Sequence, residues 1–177
     1  MVKLIIFDLD GVLVEAKNIH FNALNTALGK KYEISWEEHL SRYDGLKTNQ
    51  KLDMLSENKG LPNELHKEIW DKKQANTLHQ LKELKPNIAL QSLMDRLTEE
   101  GFKIAVCSNS IRKTVLTVLS KFGIMEYMDL VISNEDVKNS KPHPEMYWKA
   151  ISIMSNLPEE TLIVEDSPFG LLAASRS

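Results

Sequence analysis

Four short hydrophobic runs in the chain each end abruptly in polar, mostly acidic residues. The runs cover residues 4–7, 104–107, 130–132 and 162–164. Unbroken apolar runs of this length are typical of strands buried on both faces of a parallel sheet that helices cover. Ligands bind such sheets outside the carboxyl ends of the strands. We therefore expect polar side chains from distant parts of the sequence to meet at one edge of the sheet.

The segments between the last three runs have the periodicity of helices. Apolar residues recur at i, i+3, i+4 and i+7 within residues 90–97, 115–122 and 147–154. Gly101 and Gly123 follow the first two segments, where glycine commonly ends a helix. Strands and helices in alternation predict right-handed βαβ crossovers. The predicted fold class is therefore α/β, with a doubly wound parallel sheet.

Residues 15–85 interrupt this alternation, because they contain no convincing strand. Helical patterns cover residues 19–28, a capping box of Ser35 with Glu38, residues 48–57 and a longer segment after Pro62. We interpret residues 15–85 as a helical cap domain inserted into an α/β core formed by residues 1–14 and 86–177. The core is expected to be truncated at its C-terminus, since residues 169–177 resemble only the opening of a helix.

Composition narrows the classes of function. The 177 residues carry a mild net charge of −3 and a single cysteine, so we expect a cytoplasmic monomer without nucleic-acid or membrane partners. Cys107 also suggests a cysteine phosphatase loop. That loop needs five residues between cysteine and arginine, whereas four separate Cys107 from Arg112. We therefore assign Cys107 to the core.

The carboxylates at the predicted sheet edge require a cation. Asp8, Asp10, Glu165 and Asp166 would gather there, and two unit charges about 4 Å apart repel by roughly 4 kcal/mol at an effective dielectric constant of 20. Lys141 supplies only one positive charge. Oxygen ligands without a histidine and cysteine cluster favour magnesium over zinc. Such a metal lets an anionic phosphate approach an acidic site.

A carboxylate at this edge can act as a nucleophile and form an acyl phosphate. Asp8 and Asp10 leave the strand in a turn that Gly11 permits, so one acid can attack while the other protonates the departing alcohol and later activates water. Ser108 and the backbone of Asn109 are expected where a helix begins, with donors for phosphoryl oxygens. Lys141 would offset charge on the transferring group.

These residues belong to four motifs that carry a resemblance to a known family. The motifs are Asp8-Leu9-Asp10-Gly11-Val12, Ser108-Asn109-Ser110, Lys141-Pro142-His143-Pro144 and Val164-Glu165-Asp166-Ser167. Over almost the whole chain, the sequence resembles the haloacid dehalogenase superfamily, and within it the subgroup of β-phosphoglucomutase and phosphoglycolate phosphatase. The resemblance implies Asp8 as nucleophile, Asp10 as acid and base, and Ser108 and Lys141 as phosphoryl-binding residues. It implies magnesium ligands at Asp8, the Asp10 carbonyl, Glu165 and Asp166.

The cap region resembles the mutase only in part. His20 and Gly45 are similar to the hinge histidine and cap-loop glycine of the mutase, but Thr48 stands where the mutase has an arginine for a distal phosphate. We interpret His20 as a solvated or hinge residue rather than a proton-transfer residue. Lys47 is expected to reach over the site from the cap. His20 and Lys47 are therefore candidate substrate-binding residues, together with Gly11 and Asn109.

The sequence thus predicts a magnesium-dependent phosphatase that hydrolyses a small phosphorylated metabolite through an aspartyl-phosphate. Sugar phosphates or phosphoglycolate are the expected substrate class. A phosphomutase similar to β-phosphoglucomutase is the enzymatic alternative. The alternative from another class is a truncated domain that binds a ligand without turnover.

Overall fold

A computed structural model describes all residues from Met1 to Ser177. Four strands form one parallel sheet in the order β3-β2-β1-β4. Their bounds are β1 Leu4–Phe7, β2 Lys103–Cys107, β3 Leu130–Ile132 and β4 Thr161–Val164. The order places the first strand in the interior of the sheet, with later strands added on both sides. This arrangement confirms the predicted α/β class with a parallel sheet.

Eight α-helices complete the architecture. They are α1 Lys17–Leu28, α2 Trp36–Glu38, α3 Thr48–Lys59, α4 His66–Leu81, α5 Ile88–Glu99, α6 Arg112–Phe122, α7 Glu145–Ile153 and α8 Pro168–Ala174. Each predicted helical pattern falls within or beside one of them. The predicted capping box is present, since Ser35 Oγ accepts a hydrogen bond from the Glu38 amide and the Glu38 carboxylate accepts one from the Ser35 amide. None of the helices is both long and apolar enough to cross a membrane.

Alternate side chains of β1 enter two different hydrophobic clusters, one on each face of the sheet. Ile5 and Phe7 belong to the cluster that includes Met94 of α5 and Val115 of α6. On the other face, Leu4 and Ile6 pack in the cluster with α7 and α8, which contribute Met146, Tyr147, Ala150, Ile151 and Ala173. Helices therefore cover both faces of the sheet, as a doubly wound fold requires.

Strand β4 departs from the prediction that all four strands are buried on both faces. Leu162 is 48% exposed, and no residue of β4 is fully buried. The physical reason is position: β4 lies at the sheet edge and pairs only with β1. An apolar run in the sequence does not distinguish an interior strand from an edge strand.

The segment from α1 to α4 has a hydrophobic cluster of its own. Its fully buried members include Leu24, Tyr43, Leu52 and Leu55. The end of α4 belongs instead to the sheet, because Leu81 packs in the cluster beneath β1. We call the part of the chain from α1 to α4 the helical segment.

Candidate active site

The strand register brings the predicted site residues together. Phe7 pairs with Val106 on one side and with Val164 on the other. The residues that follow these three strand ends therefore lie side by side at the carboxyl edge of the sheet. Asp8 and Asp10 come from β1, Ser108 and Asn109 from β2, and Glu165 and Asp166 from β4.

Lys141 joins all three strand ends. Its Nζ donates to Asp8 Oδ1 (2.6 Å), to the Cys107 carbonyl oxygen (2.8 Å) and to the Glu165 carboxylate. Burial lowers the pKa of Lys141, but the charges of Asp8 and Glu165 outweigh burial and hold the pKa well above its usual value. Burial also raises the pKa of Asp8 to about 7, against the opposing effect of Lys141. The ammonium is thus fixed beside Asp8, the nucleophile that the sequence predicts.

Three of the four acids that were predicted to gather at this edge form a cluster, namely Asp8, Glu165 and Asp166. Each offers one carboxylate oxygen, and these oxygens lie within 4.8 Å of one another. Asp166 Oδ1 is buried without a hydrogen-bond partner, whereas Oδ2 lies 2.8 Å from Lys17 Nζ. An all-oxygen donor set with an unpartnered buried oxygen suits a hard cation. These residues therefore fit the predicted magnesium ion.

Gly11 makes room for this cluster. Its φ is +94°, and a Cβ at this position would fall on the Asp166 carboxylate. A side chain here would strain the backbone and displace the acid. Gly11 itself does not line the cavity of the site, so the structure places it behind the cluster and not in the path of a substrate.

Asp10 lies apart from the acidic cluster and is held by two donors. His20 Nε2 lies 3.0 Å from Asp10 Oδ1, and Ser110 Oγ donates to Oδ2 (2.9 Å). Burial raises the pKa of Asp10, but His20 and Ser110 outweigh burial and lower the pKa to about 2. On the other side of the imidazole, Lys73 Nζ lies 3.3 Å from Nδ1. His20 is only 8% exposed, so its interpretation as a solvated residue is wrong.

The loop after β2 differs from the prediction. Helix α6 begins at Arg112 with Ile111 as its N-cap residue, so Ser108 and Asn109 do not lie at a helix start. Ser108 Oγ instead accepts a hydrogen bond from the Ser110 amide (3.0 Å). This bond closes a turn over residues 108–110, and the helix begins only after it, at Arg112. Asn109 is also engaged, since its Nδ2 donates to the carbonyl oxygens of Gly45 (2.8 Å) and Lys141 (3.1 Å).

A cavity of about 720 Å³ lies between the sheet edge and the helical segment. Only three of its 25 lining residues are hydrophobic, so it suits a polar ligand. The predicted residues on its wall are Asp8, Asp10, His20, Lys47, Ser108, Asn109 and Lys141. Glu165 and Asp166 do not line it. The cavity therefore presents the phosphoryl-binding candidates on one side and cap residues on the other.

Four residues of the site were not predicted from the sequence. They are Lys17, which pairs with Asp166; Tyr147, whose hydroxyl donates to Glu165 (2.7 Å); and Lys51 and Lys73, which are buried on the cavity wall. A signal existed for Lys73, because it continues the inward stripe of α4 between Ile69 and Thr77. A lysine at such a position indicates a polar cavity and not a hydrophobic core. Cys107 is fully buried, and burial raises its pKa to about 12, so its assignment to the core is confirmed.

Comparison with known families and structures agrees with this geometry. The sequence model of the haloacid dehalogenase-like hydrolases matches residues 5–177. The chain belongs to this family. The predicted superfamily is therefore confirmed, and so is the prediction that the protein is an enzyme of a hydrolase family.

Two curated relatives and one solved structure illustrate the similarity of this haloacid dehalogenase-like hydrolase to other proteins. Pyrophosphatase PpaX from Halalkalibacterium halodurans is 26% identical over 177 residues, which cover 99% of this chain and 80% of the relative. A phosphorylated carbohydrates phosphatase from Thermotoga maritima is 26% identical over 174 residues, with 96% and 79% covered. The crystal structure of β-phosphoglucomutase from Clostridium difficile superimposes with a TM-score of 0.85 at 26% identity, covering 99% of this chain and 81% of that one.

Proposed function

We propose that this haloacid dehalogenase-like hydrolase is a magnesium-dependent phosphatase of a small phosphorylated metabolite, with Asp8 as the nucleophile. One observation carries the proposal: Asp8 lies at the cavity wall with Oδ1 held by Lys141, while its Oδ2 accepts no hydrogen bond and remains free to attack. The relatives named as a pyrophosphatase and as a phosphorylated carbohydrates phosphatase support the same class of reaction.

In the first half of the reaction, Asp8 Oδ2 attacks the phosphorus atom of the bound ester. The new bond joins this oxygen to phosphorus, and the bond from phosphorus to the ester oxygen breaks. The departing alkoxide takes a proton from Asp10, which leaves this step as a carboxylate that His20 Nε2 contacts at 3.0 Å. Ser108 and the Asn109 amide would donate to the phosphoryl oxygens, and Lys141 would stabilise their charge. The products of this step are an alcohol and an aspartyl-phosphate.

In the second half, water attacks the same phosphorus atom from the side of Asp10. Asp10, which became a carboxylate in the first half, takes a proton from this water and is again protonated for the next cycle. The bond from phosphorus to Asp8 breaks, inorganic phosphate leaves and the free carboxylate returns. The same side chain thus serves as acid and then as base.

Magnesium would be held by Asp8 and Asp166, with the Asp10 carbonyl and Glu165 completing the site. When bound, it supplies positive charge that offsets the repulsion between the acidic edge and an anionic phosphate. Lys17 and Lys141 each neutralise one carboxylate of the cluster. They leave the buried Oδ1 of Asp166 without a partner, and this oxygen is the one that a cation would complete.

We propose that residues 15–85 act as a cap over a core formed by residues 1–14 and 86–177. Asn109 of the core binds the Gly45 carbonyl oxygen, and a Cβ on Gly45 would lie 3.2 Å from Ser167. The loop before α3 therefore rests directly on the catalytic edge. A cap closed in this way would exclude bulk water and present the residues that select the substrate. The expectations of a monomer and of a cytoplasmic location remain predictions.

The decisive experiment measures release of inorganic phosphate from small phosphomonoesters with magnesium present. Asp8→Asn keeps the size of the side chain but removes the nucleophile, so turnover should disappear while the melting temperature stays within a few degrees. Wild-type protein treated with a chelator should be inactive and should recover when magnesium is added. Turnover by Asp8→Asn, or full activity without metal, would refute the proposal.

A phosphomutase is the second candidate, and the hydrogen bond between His20 and Asp10 favours it together with the similarity to β-phosphoglucomutase. An enzyme that protects its aspartyl-phosphate from water needs tight control of the acid and base. Incubation with a sugar monophosphate and a catalytic amount of the bisphosphate separates the two candidates. Isomerised sugar identifies a mutase, and free phosphate identifies a phosphatase.

A further inference from the structure

Lys17 joins the helical segment to the acidic cluster at the sheet edge. It is the first residue of α1, and its Nζ lies 2.8 Å from Asp166 Oδ2. Only one other ion pair connects the helical segment to the residues outside it, namely that between His20 and Asp10. The ion pair of Lys17 therefore ties the helical segment to an acid that we assign to the magnesium site.

The position of Lys17 within its own helix is unfavourable. No side chain caps the N-terminus of α1, and no acidic residue occupies its first turn. A positive charge at this end of a helix opposes the helix dipole. The helix itself thus gives no reason for a lysine at this position, and the contacts of its ammonium group with other elements supply one.

A second acid lies within reach of the same ammonium group. Asp44 Oδ2 lies 3.7 Å from Lys17 Nζ, and Asp44 is on the wall of the cavity. The side chains are 27% exposed for Lys17, 19% for Asp44 and 23% for Asp166, so water screens these charges less than it does on an open surface. The ammonium group can therefore pass from one acid to the other by a small movement and remain paired.

The two carboxylate oxygens of Asp166 have different surroundings. Oδ2 pairs with Lys17, whereas Oδ1 is buried without a hydrogen-bond partner. Magnesium at Oδ1 would share the carboxylate with Lys17, so the two positive charges would repel each other. Asp44 offers the ammonium group an alternative partner farther along the same side chain's reach.

We propose that Lys17 is a positioning residue that competes with magnesium for Asp166 and moves to Asp44 when the metal binds. The metal would thereby break an ion pair that holds the helical segment on the core. By reciprocity, Lys17 would lower the affinity for magnesium. This proposal rests on the proposed magnesium site, because it assigns Lys17 a role in how that site is filled.

Magnesium binding without substrate tests the competition. Isothermal titration calorimetry with magnesium chloride should show that Lys17→Met binds the metal about fivefold more tightly than the wild type, the equivalent of about 1 kcal/mol for a partly exposed ion pair. Lys17→Arg retains the charge and should bind magnesium as the wild type does. The matched control is Lys113→Met, since Lys113 is an exposed lysine in the first turn of α6 without an ion pair. Unchanged or weaker binding by Lys17→Met would overturn the proposal.

A double-mutant cycle tests the role of Asp44. Asp44→Asn deprives the released ammonium group of its second acid and should weaken magnesium binding. The same substitution should have a much smaller effect in the Lys17→Met background, because no ammonium group is left to move. Equal effects of Asp44→Asn in the two backgrounds would overturn the transfer to Asp44, on which the proposal depends.

Limited proteolysis tests the contact between the helical segment and the core. Without magnesium, the helical segment of Lys17→Met should be cleaved faster than that of the wild type, because the ion pair to Asp166 is lost. At saturating magnesium the two proteins should be cleaved at the same rate, because the metal has released Lys17 in the wild type. Thermal melting confirms that each variant is folded. A difference that persists with magnesium, or no difference without it, would overturn the proposal.

Hydrolysis of p-nitrophenyl phosphate separates this proposal from the proposed function. Magnesium-dependent hydrolysis by the wild type, without tighter metal binding by Lys17→Met, would refute the role of Lys17 and leave the phosphatase in place. Tighter metal binding by Lys17→Met without hydrolysis by the wild type would refute the phosphatase and leave the role of Lys17 in place. Absence of magnesium binding by both proteins would refute the metal site and both proposals with it.

Discussion

Gly170 leaves free the space that the carboxylate of Glu165 occupies. A Cβ built on Gly170 would fall on the atoms of that carboxylate. The Glu165 carboxylate cannot easily move away, because it accepts hydrogen bonds from Lys141, Tyr147 and Ser167. Because Gly170 has no side chain, Glu165 can occupy this position at the end of β4.

Gly170→Ala should therefore impair magnesium binding more than it impairs folding. Displacement of a group that supports metal ligands typically weakens metal affinity by about 10- to 100-fold. Alanine is the better helix former by about 0.5–1 kcal/mol, which offsets part of the cost of moving Glu165. The magnesium dependence of both the melting temperature and phosphate release measures the effect. Leu171→Ala, at an exposed position of the same helix, is the control, and equal magnesium dependence in both variants would contradict the interpretation.

Asn109→Ala should loosen the contact between the helical segment and the core. The substitution removes the hydrogen bond to the Gly45 carbonyl oxygen and two more to the backbone of Lys141. We expect a loss of about 1–3 kcal/mol in the free energy of unfolding, together with a higher KM and faster proteolysis of the helical segment. Urea unfolding and limited proteolysis measure these effects. If only kcat falls while proteolysis is unchanged, Asn109 acts on the phosphoryl group and not on closure.

His39 should make the protein sensitive to acid. The imidazole is fully buried, and neither ring nitrogen has a hydrogen-bond partner. Burial, aided by the charge of Lys51, lowers its pKa from 6.5 to about 3. Between these values the unfolded state binds a proton that the folded state does not, so stability is complete above pH 6.5 and falls as the pH decreases towards 3.

His39→Phe tests this sensitivity, because phenylalanine fits beside Phe21 and Trp36, the aromatic rings that flank His39. Between pH 7.5 and pH 5 the variant should lose less stability than the wild type, by on the order of 1–2 kcal/mol. Urea unfolding at the two pH values gives the comparison. His79→Gln, at an exposed position of α4, is the control. If the wild type and His39→Phe lose the same amount of stability between the two pH values, other groups cause the acid sensitivity.

The sequence predicted the sheet and its acidic edge because both depend on short-range patterns. Apolar runs identify strands, and a parallel register then forces Asp8, Ser108 and Glu165 to one edge. The side chains that complete the site follow no such rule. His20 reaches Asp10, and Lys17 reaches Asp166, only because α1, which packs mainly against α4, begins beside the sheet edge. Helix packing is a tertiary property, and single residues on a helix do not reveal its orientation.

The burial of Lys51 predicts that the effect of its substitution on the free energy of unfolding depends on pH. Burial lowers the pKa of Lys51 from 10.5 to about 8. Below pH 8 the ammonium is charged in both folded and unfolded states, and the folded state bears the full cost of burial. As the pH rises from 8 to 10.5, the folded state releases its proton first, so the wild type gains stability relative to a variant without this group.

Lys51→Met should therefore be more stable than the wild type at pH 7, by about 1 kcal/mol or more, since a methionine carries no charge to desolvate. The difference in the free energy of unfolding between the two proteins should be smaller at pH 10. Urea unfolding of both proteins at the two pH values, without phosphate in the buffer, measures it. If Lys51→Met is less stable than the wild type at both pH values, Lys51 stabilises the fold through a contact inside the protein, and the cost assigned to its burial is wrong.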